Sequence, residues 1–282
     1  MKSYDYIKSR QIGDMKARRI VIDFNRHFST PFTWMLSNLN INPNWITVAS
    51  FFICLIGFML LAQGTYICLL LGLLFFIFFR IADMVDGEVA RLLNRTSGEG
   101  ILLDRIAHYI FHLSLGVGIG IGFFNLYNNQ IYFFLGFFFA MAFVLENVVF
   151  DITKSTLREL ILKKGKIIFQ NKTDKHYYLR LLEKIHDGRY WGKSGIFSKL
   201  FAVYPFQGIF YSGDTFAAPI LFALTLLQFF LVYAKLTIFF PIARYLVPSY
   251  LLIATICKFL WIILFLYSIE KHGHITSTVK EG

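Results

Sequence analysis

Residues 65–82 read TYICLLLGLLFFIFFRIA, and residues 83–91 follow directly as DMVDGEVAR. The first stretch contains one charged residue, Arg80, and is close to the ~20 apolar residues that a helix needs to cross about 30 Å of hydrocarbon. The second stretch brings acidic residues to its end without an intervening turn signal. The sequence therefore predicts a membrane-spanning helix that continues into a charged segment.

Five further apolar runs occupy residues 45–63, 101–123, 131–152, 215–234 and 247–268. Of the 282 residues, 56% are hydrophobic and 16% are charged, whereas soluble domains carry roughly 25% charged residues. This composition excludes soluble globular, disordered and disulfide-rich classes. We expect an all-α integral membrane protein with about six transmembrane helices. Pro205, Gly208 and Gly213 interrupt the apolar stretch within 201–250, where a total of five or seven crossings also fits.

The distribution of positive charge predicts the orientation. Residues 1–44 hold seven Lys/Arg against three acidic residues, and residues 154–200 hold twelve against four. By the positive-inside rule both segments are cytosolic, and six spans then place both termini in the cytosol. The predicted organisation is a cytosolic or interfacial segment (1–44), four membrane helices (45–153), a basic cytosolic loop (154–200), the remaining membrane helices (201–270) and a cytosolic tail (271–282).

Basic loops beside anionic lipid account for the formal net charge of +11, and the sequence has no motif typical of nucleic-acid binding. Within the N-terminal segment, apolar and charged residues alternate at helical spacing over residues 19–28 (RIVIDFNRHF). One face of that helix would carry Ile20, Val21, Phe24 and Phe28. The pattern predicts an N-terminal amphipathic helix in the membrane interface, and packing on the protein's own cytosolic surface is an equal alternative.

Acidic residues gather where the second span ends and the third begins. Asp83 and Asp86 lie one turn apart, and Asp104 precedes His108 by one turn, so two facing helices present three carboxylates and an imidazole. Such a set favours a divalent cation with oxygen ligands, and ionisable residues near the membrane are functional candidates. The alternative is an ion-pair network in which nearby arginines neutralise the acids: Arg80, Arg91, Arg95 and Arg105.

The spacing of these residues resembles the signature of the CDP-alcohol phosphotransferase (CDP-alcohol phosphatidyltransferase) family. Seven positions match in residue type and interval: Asp83, Asp86, Gly87, Ala90, Arg91, Gly100 and Asp104. The signature ends with a fourth aspartate, and this chain has His108 there. A helix start at Asn42-Pro43-Asn44, with Thr47 in the next turn, also resembles the first helix of the family.

The resemblance implies a reaction and a site. Divalent metal, Mg²⁺ or Mn²⁺, would be held by Asp83, Asp86 and Asp104, and would bind the diphosphate of a CDP-linked donor. An acceptor hydroxyl would attack the donor's β-phosphate, and CMP would leave. His108 would be the catalytic base, or a metal ligand. The residues that the resemblance implies for the nucleotide are Asn44, Thr47, Gly87, Ala90, Arg91 and Gly100.

Two other readings of the same residues stay open. Without the fourth carboxylate the chain could bind a CDP-activated lipid without turnover. A cation-coupled transporter is a third possibility, but the sequence shows no inverted repeat or pair of broken helices. We expect the cytoplasmic membrane as the location, with the site facing the cytosol. The expected partners are a CDP-linked donor, a hydroxyl-bearing acceptor such as a lipid head-group alcohol or lipid-linked glycan, membrane lipid, and a homodimer partner.

Several residues outside the motif have two interpretations each. Glu146 is a candidate for acceptor binding or for a salt bridge with Lys154 or Lys258. His112 is more typical of a packing histidine than of a ligand. The glycines at 116, 118, 120 and 122 permit close helix packing within the chain or at a dimer contact. Phosphate-binding candidates in the basic loop are Arg180, Arg189 and Lys193.

Overall fold

The structure is a computed structural model, and it describes residues 19–164, 213–233 and 244–272. These residues form seven α-helices and no β-strand. The helices are α1 (Arg19–Asn38), α2 (Pro43–Ala62), α3 (Tyr66–Leu92), α4 (Gly98–Tyr127), α5 (Gln130–Lys164), α6 (Gly213–Tyr233) and α7 (Leu246–His272). The phosphate-binding candidates Arg180, Arg189 and Lys193 lie outside the described residues.

Five candidate membrane spans are present in the described ranges: Pro43–Ala62, Tyr66–Leu92, Gly98–Tyr127, Gln130–Thr153 and Leu246–Ile263. They coincide with five of the six predicted spans. The sixth, 215–234, forms α6, whose apolar stretch Ala217–Tyr233 is shorter than the others. The prediction of an all-α membrane protein with an N-terminal helix is confirmed. The side of the membrane on which the termini lie stays a prediction, as do the domain boundaries.

Polar caps set the first residues of three helices. The Asn42 side chain accepts a hydrogen bond from the backbone N–H of Asn44 (3.0 Å), and Pro43 opens α2. Thr65 caps α3 in the same way, and Ser97 Oγ accepts from the backbone N–H of Gly100 (3.0 Å) at the start of α4. Because these caps satisfy N–H groups that lack helical partners, they fix where each helix begins.

The chain divides into two compact units, of which the first comprises Met1–Ala140 and Ala218–Pro248. In this unit α2 packs against α3 and α4, and α3 also packs against α4. Fully buried side chains at helical spacing fill the contacts: Leu69, Leu73, Phe76 and Phe79 on α3, and Phe111, Leu115, Ile119 and Phe123 on α4. Ile67, Leu71 and Phe78 are exposed on another face of α3, as expected of a surface that meets lipid.

Glycines of α4 are used for packing within the chain. A Cβ atom added at Gly120 would lie 3.0 Å from the Cα of Gly136 on α5, and one at Gly122 would lie 2.2 Å from the carbonyl oxygen of Leu61 on α2. The missing side chains therefore allow two helix backbones to approach α4, as the intrachain interpretation predicts. A homodimer contact stays a prediction.

Helix α1 is attached to α3 by hydroxyl groups. Thr33 Oγ1 donates to Glu88 Oε2 (2.6 Å), and Ser29 Oγ lies 3.3 Å from each carboxylate oxygen of Glu88. All three residues are buried, whereas the apolar side chains of Phe28, Phe32 and Met35 are exposed. Helix α1 therefore combines both predicted features: it packs on the protein's own surface, and it has an apolar face that points outward. The side chains of residues 19–26 lie outside the description.

The second unit comprises Met141–Ala217 and Ser249–Gly282. Within it, Lys258 Nζ on α7 donates to Glu146 Oε2 on α5, and the ammonium also lies 4.8 Å from the ring centre of Phe143. Both charged residues are buried. The salt-bridge interpretation of Glu146 is therefore confirmed, and Lys258 gains the partner that its position in an apolar helix requires.

Replacing Gly122 with alanine should destabilise the protein by about 1–3 kcal/mol or more, because the new methyl group overlaps the α2 backbone. The matched control is Gly98→Ala, since a Cβ at Gly98 has no heavy atom within 4 Å. Denaturant titration in detergent micelles, followed by circular dichroism, measures both variants. Equal stability of the two would contradict the close approach of α4 and α2.

Lys258→Met should destabilise the protein by about 3–5 kcal/mol, because it leaves the buried Glu146 carboxylate without its ammonium. The double variant Lys258→Met/Glu146→Gln should recover much of that loss. A double-mutant cycle of unfolding free energies measures the coupling. Additive effects of the two single substitutions would show that the pair does not interact.

Candidate active site

Asp83 on α3 lies opposite Asp104 and His108 on α4. One ligand atom from each of the three residues lies within 4.8 Å of the others. His108 Nε2 is 3.3 Å from Asp83 Oδ1 and 3.7 Å from Asp104 Oδ1. The predicted meeting of the two helices at these residues is therefore present. The cluster is partly open: the Asp104 side chain is 47% exposed, against 11% for Asp83.

Arg80 closes one side of this cluster. Its Nη1 atom donates to Asp83 Oδ2 (3.1 Å) and lies 3.4 Å from His108 Nδ1. Arg80 lies one helical turn before Asp83, so the two side chains share a face of α3. Part of the predicted ion-pair network is thus present. Arg95 instead donates to the backbone carbonyl of Asn40 (3.3 Å).

Asp86 occupies a separate position next to α2. Its Oδ2 atom accepts a hydrogen bond from Thr47 Oγ1 (2.5 Å), and both residues are buried. Asp86 is not part of the group formed by Asp83, Asp104 and His108. The structure therefore brings Thr47, which the sequence assigns to the nucleotide, into direct contact with a predicted metal ligand.

Four of the other five residues predicted for the nucleotide form two close pairs. A Cβ atom added at Gly100 would lie 3.1 Å from Asn44 Oδ1, so the start of α4 touches the start of α2. A Cβ at Gly87 would lie 3.3 Å from Arg91 Nη1. Ala90 is half-buried on α3 between these residues in sequence. A larger residue at either glycine would crowd a polar side chain that can contact an anion.

The donor set fits a divalent cation. Two carboxylates and an imidazole supply oxygen and nitrogen atoms within reach of one ion, and Asp104 is open enough to admit it. Oxygen-only sets suit Mg²⁺, whereas an imidazole is a better ligand for Mn²⁺ and other transition metals. The residues are therefore compatible with either predicted ion, and the nitrogen atom of His108 distinguishes this set from one made of aspartates alone.

Two residues lie next to the site: His112, which the sequence predicts to be a packing residue, and Glu88, for which the sequence predicts no role. His112, one turn beyond His108, is buried with its ring edge-on to Phe111 at 5.0 Å, which agrees with the packing interpretation. Glu88 was not among the predicted residues, although it lies next to Gly87 in the motif. The pair of hydroxyl residues at Ser29 and Thr33, one turn apart, was the available signal for its contact with α1.

Comparison with known proteins gives a family match. Residues 40–181 match the sequence model of the CDP-alcohol phosphatidyltransferase family. The chain belongs to this family. No curated protein matches the chain. The matched range contains α2, α3 and α4 with every residue of the cluster, and membership in a CDP-alcohol phosphatidyltransferase family implies CDP-alcohol phosphotransferase activity.

Replacing Asp104 with asparagine should lower the affinity for Mn²⁺ by at least about tenfold, since even outer partners of a metal site are worth about 10–100-fold. Glu99→Gln is the matched control: it removes an acidic residue from the first turn of the same helix, outside the cluster. Electron paramagnetic resonance of unbound Mn²⁺ measures the affinity in detergent. Equal losses in the two variants would contradict a specific site.

Proposed function

We propose that this chain is an integral-membrane phosphotransferase that moves a phosphoryl-alcohol group from a CDP-linked donor to a hydroxyl acceptor and releases CMP. The observation that carries the proposal is the meeting of Asp83, Asp104 and His108 across two helices, inside the range that matches the family. An isolated acidic cluster would be a weak signal. The same cluster at the motif positions of an enzyme family supports catalysis.

In this proposal Asp83, Asp86 and Asp104 hold Mg²⁺ or Mn²⁺. The ion, when bound, would offset the concentrated negative charge of the donor's diphosphate and of the leaving CMP. The proposal for Asp83 and Asp104 is supported by their shared geometry. Asp86 would serve from its own position, where the hydrogen bond from Thr47 orients its carboxylate.

The nucleotide would lie along the ends of α2, α3 and α4, against Asn44, Thr47, Gly87, Ala90, Arg91 and Gly100. The small residues Gly87, Ala90 and Gly100 let a ligand approach the helix backbones closely. Arg91, which is exposed, supplies a guanidinium that suits a phosphate group. Asn44 supplies an amide for hydrogen bonds to the base or ribose.

The transfer itself forms one bond and breaks one bond. The acceptor hydroxyl oxygen attacks the phosphorus atom that carries the donor alcohol, and the bond from that phosphorus to the bridging oxygen of CMP breaks. The hydroxyl proton passes to a ring nitrogen of His108, and CMP departs with the bond's electron pair. A neutral imidazole suits this role, because one of its ring nitrogens carries a lone pair that can accept a proton.

We further propose that the site faces the cytosol from the cytoplasmic membrane. The excess of Lys and Arg in segments 1–44 and 154–200 supports this orientation, because basic segments are retained on the cytosolic side. A membrane-embedded enzyme of this kind would take an acceptor from the lipid phase or its surface, such as a head-group alcohol or a lipid-linked glycan. Assembly as a homodimer belongs to the same proposal.

A second candidate is a protein that binds a CDP-activated lipid without turnover. Two observations favour it: an imidazole replaces the fourth carboxylate of the signature, and Arg80 contacts that imidazole. The candidate predicts nucleotide binding with no CMP formed. It is distinguished from the enzyme by an assay of product rather than of binding.

Purified protein in lipid should release CMP from at least one member of a panel of CDP-alcohols when Mg²⁺ or Mn²⁺ and a hydroxyl acceptor are supplied, and a chelator should stop the release. His108→Asn should lower the rate by about 10²–10⁴-fold, as expected for loss of a general base, while nucleotide binding remains. His108→Asp restores the residue of the family signature and should keep turnover. Chromatographic quantification of CMP measures the rate of release by wild type and by both variants.

Tight binding of a CDP donor by the wild-type protein, without CMP across the acceptor panel, would favour the silent binder. Equal CMP release by wild type and His108→Asn would leave the transferase in place and remove His108 from its catalytic role. The two outcomes therefore test different parts of the proposal.

A further inference from the structure

Arg80 is a cation placed among apolar residues. It follows FFIFF in the sequence, its side chain is 16% exposed, and its guanidinium carbon lies 5.9 Å from the ring centre of Phe111. Phe111 in turn stacks on Phe79 at 4.9 Å. A charge held in such surroundings is costly unless it is paired, so the stability of Arg80 at this position depends on its contacts.

One nitrogen of Arg80 serves two residues of the candidate metal cluster. Nη1 lies 3.1 Å from Asp83 Oδ2 and 3.4 Å from His108 Nδ1. A guanidinium only donates hydrogen bonds, so a hydrogen bond from Arg80 to His108 selects the tautomer with a lone pair on Nδ1. The neutral ring then carries its proton on Nε2, the nitrogen that faces Asp83 Oδ1 and Asp104 Oδ1 at 3.3 and 3.7 Å.

This hydrogen-bond pattern is the reverse of the one that supports a metal-binding histidine. A ligating imidazole offers a lone pair to the ion and donates its other N–H to an acceptor such as a carboxylate or a carbonyl. In this structure the outer partner is a donor, and the neutral tautomer that accepts from it has its proton on the inner nitrogen. While Arg80 contacts Nδ1, the inner nitrogen of His108 has no lone pair for an ion or for an acceptor proton.

We propose that Arg80 is an internal counter-cation, which stabilises the carboxylates in the absence of a divalent ion and which the ion displaces from His108. At Asp83 the guanidinium and the ion compete for the same negative charge; at His108 they require opposite positions of the ring proton. The inference rests on the proposed metal site. It adds that this chain contains a residue that opposes metal binding.

The opposite role is the specific alternative. Arg80 could act as a support that holds Asp83 and His108 in place for the ion, and such outer partners typically strengthen metal binding by about 10–100-fold. The two roles predict opposite signs for the same substitution. Metal affinity, measured directly and without turnover, therefore decides between them.

Arg80→Gln should bind Mn²⁺ about tenfold more tightly than the wild-type protein, because a charge-assisted hydrogen bond to Asp83 and a competing positive charge are lost. Arg80→Lys keeps the charge and should bind Mn²⁺ with nearly wild-type affinity. Arg95→Gln, an exposed residue outside the cluster, removes the same charge and should change little. The spectroscopic Mn²⁺ titration applies to all four proteins.

Equal or weaker Mn²⁺ binding by Arg80→Gln would overturn the proposal and assign Arg80 a supporting role. An equal gain in Arg80→Lys would overturn the competition of charges. If wild type and all variants fail to bind Mn²⁺, the metal site fails, and the inference fails with it. Binding by wild type together with no gain in Arg80→Gln leaves the proposed function standing and refutes only the role of Arg80.

A second measurement reads the ring proton in the wild-type protein, and a variant is needed only to assign the signal. Nitrogen-15 spectra of labelled histidine, with His108→Asn to assign the signal, report which ring nitrogen carries the proton. The metal-free protein should show a protonated Nε2 on His108, and saturation with diamagnetic Mg²⁺ should abolish that pattern. A protonated Nδ1 before metal is added would overturn the proposal.

Discussion

Asp83 and Asp86 lie largely out of water where apolar helices meet, and carboxylates in such surroundings are stable only when they are paired or hydrogen-bonded, whereas Asp104 lies at the open edge of the metal cluster. The structure gives each a partner from a different source. Arg80 donates to Asp83, Thr47 donates to Asp86, and the ring of His108 lies beside both Asp83 and Asp104. Because these contacts link α2, α3 and α4, the charges that a reaction would use also determine how the three helices meet.

These contacts fix the rotation of α3 about its own axis. Successive residues of an α-helix are rotated by about 100°, so a shift of one position would turn Asp83 away from α4. Thr47 holds α3 from the side of α2, and Ser29 and Thr33 hold it from α1 through Glu88. Two polar contacts on different faces specify one rotation, which apolar packing alone would specify less sharply.

Much of this arrangement could be predicted from sequence because its causes are local. The apolar runs predict the helices, and the interval from Asp83 to Asp104 predicts that carboxylates of neighbouring helices meet. The sequence does not predict which arginine pairs with which carboxylate. Four arginines follow or precede the acids closely in sequence, and only the packed helices show that Arg80 turns to Asp83 while Arg95 turns to the Asn40 carbonyl. The contact of Glu88 with α1 joins residues more than fifty positions apart. The hydroxyl pair at Ser29 and Thr33 signals a polar face of α1, but it does not specify Glu88 as the partner.

The histidine at position 108 changes the charge balance of the site as well as its ligands. A neutral imidazole adds no negative charge where the signature that the sequence resembles ends with an aspartate. Compared with such a site, the carboxylates would attract a divalent ion less strongly, and under the proposed role of Arg80 its guanidinium would oppose the ion more effectively. The diphosphate of a CDP-linked donor would bring negative charge to the same place. Under the proposed function, the donor would therefore help the ion to bind, and by linkage the ion would help the donor equally. In a site of this kind, the substrate supplies charge that the signature's fourth aspartate would otherwise provide.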